Sequence, residues 1–445
     1  MTTRLLFAAC SLTATLAAQG GLPPVPVPPQ NPITPAKAIL GKLLFWEEQM
    51  SNDNRVACGT CHTFAAGGGD LRRAPHPGPD GQLGTPDDKF GSPGIRRSDA
   101  SNGYFADAVF GVDVQVTPRT SPSFLTAAWF PELFWDGRAR SNFVDPETNQ
   151  QTIPGGAALE SQALAPILAS SEMAHDARTW SQVRSKLQSA RPMALATNLP
   201  ADMAAAIAGG VGYPDLFAAA FGTPAITAQR IAYALATYQR TLVPDQTPWD
   251  RFMNGQQNAL TLAQQRGWMV FQGPARCNLC HTPGLFSDTN FRNVGLRPIA
   301  EDNGRQAVTG NFQDRGKFKV PSLRNVGLRR SYMHDGRFTS VPQVFGFYLG
   351  GGGPFLDNKD PLLVPLMVPP PAANDLIDFV TNGLTDPRVA AGTAPFDRPT
   401  LRSQLIAPRG FEFGVDTPGT AGVRPIMLAG VPANLGNVDF KVGIG

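Results

Sequence analysis

Cys58-Gly59-Thr60-Cys61-His62 and Cys277-Asn278-Leu279-Cys280-His281 are two copies of one five-residue pattern. Two thiols three positions apart, followed at once by an imidazole, suit covalent attachment of c-type haem. The thiols add across the vinyl groups, and the histidine reaches the iron as proximal ligand. A thioredoxin-like dithiol or half of a zinc site shares the cysteine spacing, but neither needs His62 or His281. The chain has five cysteines, and Cys10 lies in the N-terminal leader. No thiol remains for a disulfide or another metal site. Two covalently bound haem c groups are therefore expected, one per motif.

The elements around the motifs also repeat. Thr34 can cap a helix that Pro35 opens, with Ala36, Ile39, Leu40, Leu43 and Leu44 at helical spacing up to about Glu48. Thr261 and Leu262 begin a matching stretch, in which Gly267-Trp268-Met269-Val270-Phe271 aligns with Gly41-Lys42-Leu43-Leu44-Phe45. After the motifs, Thr120-Ser121-Pro122-Ser123 leads to Phe134-Trp135-Asp136-Gly137-Arg138. Val320-Pro321-Ser322 leads to Met333-His334-Asp335-Gly336-Arg337. Trp135 of one half thus stands where His334 stands in the other. A unit used twice implies two related domains, each with a haem. Between them, Thr227–Leu242 reads as an amphipathic helix and Pro244–Pro248 as a hinge.

These residues resemble the bacterial diheme cytochrome c peroxidases and their MauG-type relatives, from about Thr34 to Asp386. The resemblance implies a mainly α fold. Two cytochrome-c-like haem domains carry long loops; past Asp386 the family pattern stops, and the short apolar runs Phe411–Phe413 and Val438–Val442 in a Gly/Pro-rich stretch read as a short β-rich C-terminal appendage. The expected organisation is a signal peptide (1–18), a Pro-rich linker (19–33), an N-terminal peroxidatic domain (34–246), a C-terminal electron-transfer domain (247–386) and a Gly/Pro-rich β-like tail (387–445). Phe143–Gly156 is expected to be an inserted surface loop.

The resemblance also implies a site. Gln162, Pro166 and Glu172 have the spacing of the family residues that line the open face of the N-terminal haem. Cleaving O–O requires a proton to move between the two oxygens, and a carboxylate near the iron can carry it. The bland alternative for Glu172 is an ordinary acidic loop residue. Trp135 matches the family tryptophan that relays electrons between haems, though it could equally be a core aromatic. The sixth ligand of the second haem falls on Tyr348, where the peroxidases have Met and the MauG-type branch has Tyr. A packed Tyr348 with Met367 on the iron is the other reading. His76 is either the removable distal ligand of a resting oxidised state or an exposed loop histidine. His334 reads as a hydrogen-bonding residue and His175 as a solvated one. One Ca2+ between the haems would use Thr120, in place of the family Asn, and the carbonyls of Arg329 and Ser331. The acidic loop Pro79–Asp88 reads as a turn cluster.

Composition sets the remaining bounds. Arg4, the apolar run Leu5–Leu16 and small residues near Ala18 read as a signal peptide. Phe7-Ala8-Ala9-Cys10 is a poor lipoprotein box, so a periplasmic, unlipidated protein is expected. Net charge is +3 with both signs mixed along the chain, so nothing in it suggests a nucleic-acid partner. The 46 Gly and 42 Pro of 445 residues are roughly a fifth, against about 12% in average usage, so long loops are expected. The partners implied are hydrogen peroxide and a small electron-donor protein, a cytochrome c or a cupredoxin, with a homodimer as the state to test. A MauG-like oxidase of a protein side chain and a plain diheme electron carrier are the alternatives.

Overall fold

The computed structural model describes residues 21–405. The expected leader (1–18) and the tail beyond 405 lie outside them. Helices dominate among the described residues, and strands form only two-stranded antiparallel ribbons.

The helix Pro35–Phe45 starts as its sequence dictates. Pro35 occupies the first turn, and Thr34 Oγ1 accepts from the Lys37 N–H at 3.3 Å. It ends at Phe45, and a separate 3-10 turn forms at Glu48–Met50. Its counterpart Leu262–Gln272 is capped by Thr261 with Gln264 as reciprocal partner. The matched glycines explain each other. A Cβ on Gly41 would stand 1.9 Å from the Ala234 carbonyl oxygen, and one on Gly267 would stand 2.1 Å from that of Asp375. Each glycine lets its helix cross another with the backbones in contact: Ala228–Thr241 in the first half, Pro370–Asp378 in the second.

Each half has its own apolar core. Leu40, Leu43, Phe217, Ile231 and Leu235 anchor the first. Trp249, Phe271, Phe286, Phe379 and Leu384 anchor the second. The expected hinge is pinned. Arg324 pairs with Asp250 at 2.7 Å, both side chains being essentially inaccessible, and donates to the Pro244 carbonyl at 3.0 Å. Removing one member of such a buried pair costs on the order of 3–5 kcal/mol. The Pro-rich stretch before the first helix is extended but fastened. Asn31 is fully buried and donates to Glu160 at 2.8 Å, and the Pro26 carbonyl accepts from Arg240 at 3.0 Å.

The two repeats meet in a reciprocal contact. Thr120 N–H donates to the His334 carbonyl at 2.8 Å, and Lys319 N–H donates to the Trp135 carbonyl at 2.8 Å. Both donors lie two residues before the shared proline, so the pairing has pseudo-two-fold symmetry. The turns match in detail. Phe134 and Met333 have φ of 63° and 65°, and Gly137 and Gly336 have φ of 78° and 72°. Arg119 strengthens the contact, reaching Asp136 of its own half at 2.6 Å and Asp302 of the other at 2.7 Å.

Two stretches differ from expectation. Phe143–Val144 and Gln151–Ile153 form a ribbon rather than a surface loop. Phe143 and Ile153 enter the first core, and Glu147 accepts from Ala228 N–H at 2.8 Å to cap the long helix. The described part of the tail is helical, at Pro387–Ala391 and Arg402–Leu405, because Asp386 caps the first of these. It folds back onto the first half, where Val389, Phe396 and Leu401 are fully buried. The Phe411–Phe413 and Val438–Val442 runs, read as β-like, lie outside the described residues.

Candidate functional site

A cavity of about 700 Å3 opens in the first half and brings together seven residues singled out from the sequence: Cys58, Cys61, His62, Trp135, Gln162, Pro166 and Glu172. The short helix Cys58–Cys61 presents both thiols. His62 Nδ1 lies 3.1 Å from the Gly68 carbonyl, which leaves Nε2 for a ligand. Burial, the largest influence, pushes this imidazole below its ordinary pKa and so keeps it neutral, as iron ligation requires.

The helix Ala158–Ala163 carries Gln162, and Pro166 lies in the next turn. Glu172 stands on the turn that follows, where the Ala169 carbonyl accepts from Glu172 N–H at 3.0 Å and Met173 N–H at 2.9 Å. Strands Pro93–Arg96 and Val114–Val116 brace that turn. A Cβ on Gly94 would sit 2.0 Å from the Ser171 carbonyl oxygen, so glycine is required for the approach. Gln115 donates to the Ser170 carbonyl at 2.8 Å. Burial raises the Glu172 pKa, and the Arg138 guanidinium opposes it. Neither the Glu172 carboxylate nor the Gln162 amide has a hydrogen-bond partner among the described residues. Glu160 shows the contrast: Arg240 binds it at 2.6 Å in a fully buried pair, and its role is structural.

The second cavity, about 240 Å3, is lined by Cys277, Cys280, His281 and Tyr348. His281 Nδ1 lies 2.9 Å from the Phe286 carbonyl, repeating the His62 arrangement, and burial lowers its pKa likewise. Tyr348 sits on the helix Val341–Leu349. Burial first, and the nearby cysteine sulfurs second, push its phenol pKa up. Met367 is 88% exposed and does not line this cavity. Met333 is the thioether that lines this cavity. No carboxylate does.

Trp135 lines both cavities, and its indole N–H donates to the Thr120 carbonyl at 2.8 Å. The His334 ring stacks on Phe318 at 3.5 Å and meets Trp135 edge-on at 6.4 Å. Lys319 also lines both cavities and is 6% exposed, with its ammonium 3.9 Å above the Phe130 ring. Burial pushes its pKa down to about 7. Sequence reasoning passed over Lys319. The available signal was its place in the repeat, opposite Thr120.

Three expectations fare differently. His76 lines neither cavity among the described residues. Its strand pairs with Lys89–Gly91, its Nδ1 accepts from Gly78 N–H at 3.2 Å, and its ring meets Phe110 at 5.5 Å. His175 is 3% exposed rather than solvated, with Nδ1 2.7 Å from the Asp176 carbonyl. In the acidic loop, Asp80, Asp87 and Asp88 accept from backbone N–H groups of the loop itself, as a plain turn does.

The donor sets fit haem c: two free thiols, a neutral imidazole with its Nδ1 already engaged, and a largely apolar cavity, in each half. Such a chain is a two-haem c-type protein with unlike haem environments. The model of the family described as di-haem cytochrome c peroxidase matches residues 35–258. Methylamine utilization protein MauG of Methylorubrum extorquens is 31% identical over 331 residues, covering 74% of this chain and 72% of the relative. Cytochrome-c peroxidase IdrP1 of a Pseudomonas species (strain SCT) is 31% identical over 392 residues, covering 81% and 83%. Among solved structures, a MauG-like protein associated with microbial copper homeostasis superposes with a TM-score of 0.59 at 25% identity, covering 84% of this chain and 96% of the other. The chain belongs to the di-haem cytochrome c peroxidase and MauG family.

Replacing Cys58 and Cys61 together by Ala should remove one haem of two, read by pyridine haemochrome and intact mass. Retention of both would disprove the assignment of the first motif.

Proposed function

We propose that this chain is an exported, periplasmic peroxidase. It reduces hydrogen peroxide in the first cavity with electrons that a small donor protein, a cytochrome c or a cupredoxin, delivers to the second haem. One observation carries the reading. Glu172 and Gln162 present unpartnered polar groups to the first cavity, whereas no carboxylate lines the second. Overall, one H2O2, two electrons and two protons give two waters. The haem iron, when bound, supplies the electrons and the place where O–O breaks.

The chain's own residues supply position and protons. Glu172, facing the cavity in its ionised form, takes the proton of one peroxide oxygen and delivers it to the other, which leaves as water. Gln162 holds the peroxide through its amide. Pro166 fixes the turn between them and offers no N–H to compete. Trp135, in the wall of both cavities, provides the aromatic path for electrons from the second half to the first.

A second reading, oxidation of a protein side chain in the MauG manner, is favoured by Tyr348 at the second cavity. The two readings separate by stoichiometry. Mixed with peroxide and a reduced c-type cytochrome or cupredoxin, the protein should oxidise two one-electron donors per peroxide through many turnovers. Peroxide consumption without donor oxidation, with a modified residue in an added protein, would establish the second reading instead.

A further inference from the structure

The family resemblance puts one calcium ion between the halves, on the Thr120 side chain and the carbonyls of Arg329 and Ser331. All three oxygens are engaged by the protein itself. Thr120 Oγ1 donates its hydrogen to the Met333 carbonyl at 2.9 Å. The Arg329 carbonyl accepts from the Tyr332 hydroxyl at 3.1 Å. The Ser331 carbonyl accepts from Arg329 Nε–H at 3.2 Å.

The Arg329 guanidinium does more than fill one bond. Its Nη2 crosses to the first half and donates to the Ser121 carbonyl at 2.9 Å. A Cβ on Gly69 would stand 2.8 Å from its Nη1, so the loop carrying the proximal histidine packs directly on the guanidinium. Arg329 makes no ion pair with a carboxylate among the described residues; its hydrogen-bond acceptors are carbonyls. Its positive charge is therefore not neutralised by the protein. Calcium asks for six to eight oxygen ligands. Here it would find three protein oxygens, two of them carbonyls that already accept hydrogen bonds, and a guanidinium of like charge donating to one of those carbonyls.

The rest of the reciprocal contact follows the same pattern. Arg329 lies eight residues after its proline, as Phe130 does in the first half. Over Phe130 stands the ammonium of Lys319. Each of the two crossing points thus holds one basic side chain of the second half.

We propose that Arg329 takes the place of the calcium ion, so that this protein joins its two haem halves with a built-in guanidinium and does not bind calcium there. Arg329 is a positioning residue: it ties the Ser121 carbonyl of one half to the Ser331 carbonyl of the other and sets the charge beside the His62 loop. Peroxide turnover is not needed for this conclusion, and the test avoids it.

The holoprotein, with both haems, should contain well under one calcium per chain by elemental analysis after gel filtration. Neither EGTA nor millimolar CaCl2 should shift its melting temperature, its visible spectrum or either haem potential. Arg329→Ala should lower the melting temperature by several degrees and lower the potentials of both haems, the second because Arg329 lines its cavity and the first because the His62 loop packs on the guanidinium, since losing a nearby positive charge favours the oxidised state. Arg329→Lys should restore part of both. In Arg329→Thr combined with Thr120→Asn, calcium should bind and raise the melting temperature, because the cation is gone and an amide oxygen is added. About one tightly held calcium per wild-type chain, or a saturable calcium-dependent change in its haem spectrum, would overturn the proposal. So would an Arg329→Ala protein with unchanged melting temperature and potentials.

Discussion

Glu172→Gln should retain both haems and the fold, and lose peroxide turnover by about 10²–10⁴-fold. The isosteric amide keeps the shape of the turn, in whose bonds the Glu172 side chain takes no part: Ala169 accepts from the backbone N–H groups of Glu172, Met173 and Ala174, and the Gln115 side chain holds the Ser170 carbonyl. No partner of the carboxylate is lost, since it has none among the described residues. What disappears is the group that accepts and returns a proton. The pH dependence gives an independent check. Burial raises the Glu172 pKa above its ordinary value, and the reaction needs the ionised form to take the peroxide proton. Turnover should therefore fall as pH drops through a pKa higher than that of a free carboxylate. That limb of the profile should vanish in the Gln variant. Wild-type rates for the variant across the pH range would show Glu172 to be structural, and a preserved limb would assign it to another acid.

The second large effect is expected at Tyr348. Exchanging an oxygen ligand for a thioether changes both charge and softness at the iron, so Tyr348→Met should raise the potential of the second haem. Tyr348→Phe should leave that iron open or water-bound and alter its EPR signal alone. The structure sharpens the contrast. Met367 is too exposed to compensate, and the thioether available on the cavity wall is Met333. Met333 is held by its positive φ and by the bond from Thr120 to its carbonyl. If Tyr348→Phe acquires a thioether-type spectrum, Met333 has moved onto the iron. If neither variant changes the spectrum or the potential, Tyr348 is not a ligand.

Much of this site is written locally in the chain, and that part is legible. Two thiols and an imidazole at fixed spacing need no tertiary context. The Gly41 and Gly267 match is legible too, because both crossings demand a residue without Cβ. Trp135 and His334 could be paired by counting from Pro122 and Pro321. What could not be read depends on contacts across the molecule. Lys319 and Arg329 look like ordinary surface cations in sequence. Their placement at the reciprocal contact, with Lys319 buried and Arg329 half-buried, follows only from how the two halves oppose each other. Phe143 and Ile153 sit in a polar, Pro-containing stretch, and only their partners in the first core reveal them as core residues. The Gly/Pro content after Asp386 suggested β structure, whereas Asp386 capping and the docking of Phe396 and Leu401 impose short helices. His76 sits at a suggestive distance from His62, but strand pairing with Lys89 directs it elsewhere.

The return of the final described segment to the first half has a bearing on how the molecule is made. Val389, Phe396 and Leu401 are walls of the same core as Leu40 and Leu43. Glu48 receives the N–H groups of Arg402 and Ser403 at 2.8 and 2.9 Å, and Lys42 meets Asp397 at 3.0 Å. Phe396 also touches Phe64, three residues past the second cysteine of the first motif, at 5.6 Å. The first core therefore cannot close until the chain has emerged as far as Leu401, some way past the second haem motif. Whichever end leads, this half is finished last although it comes first in sequence.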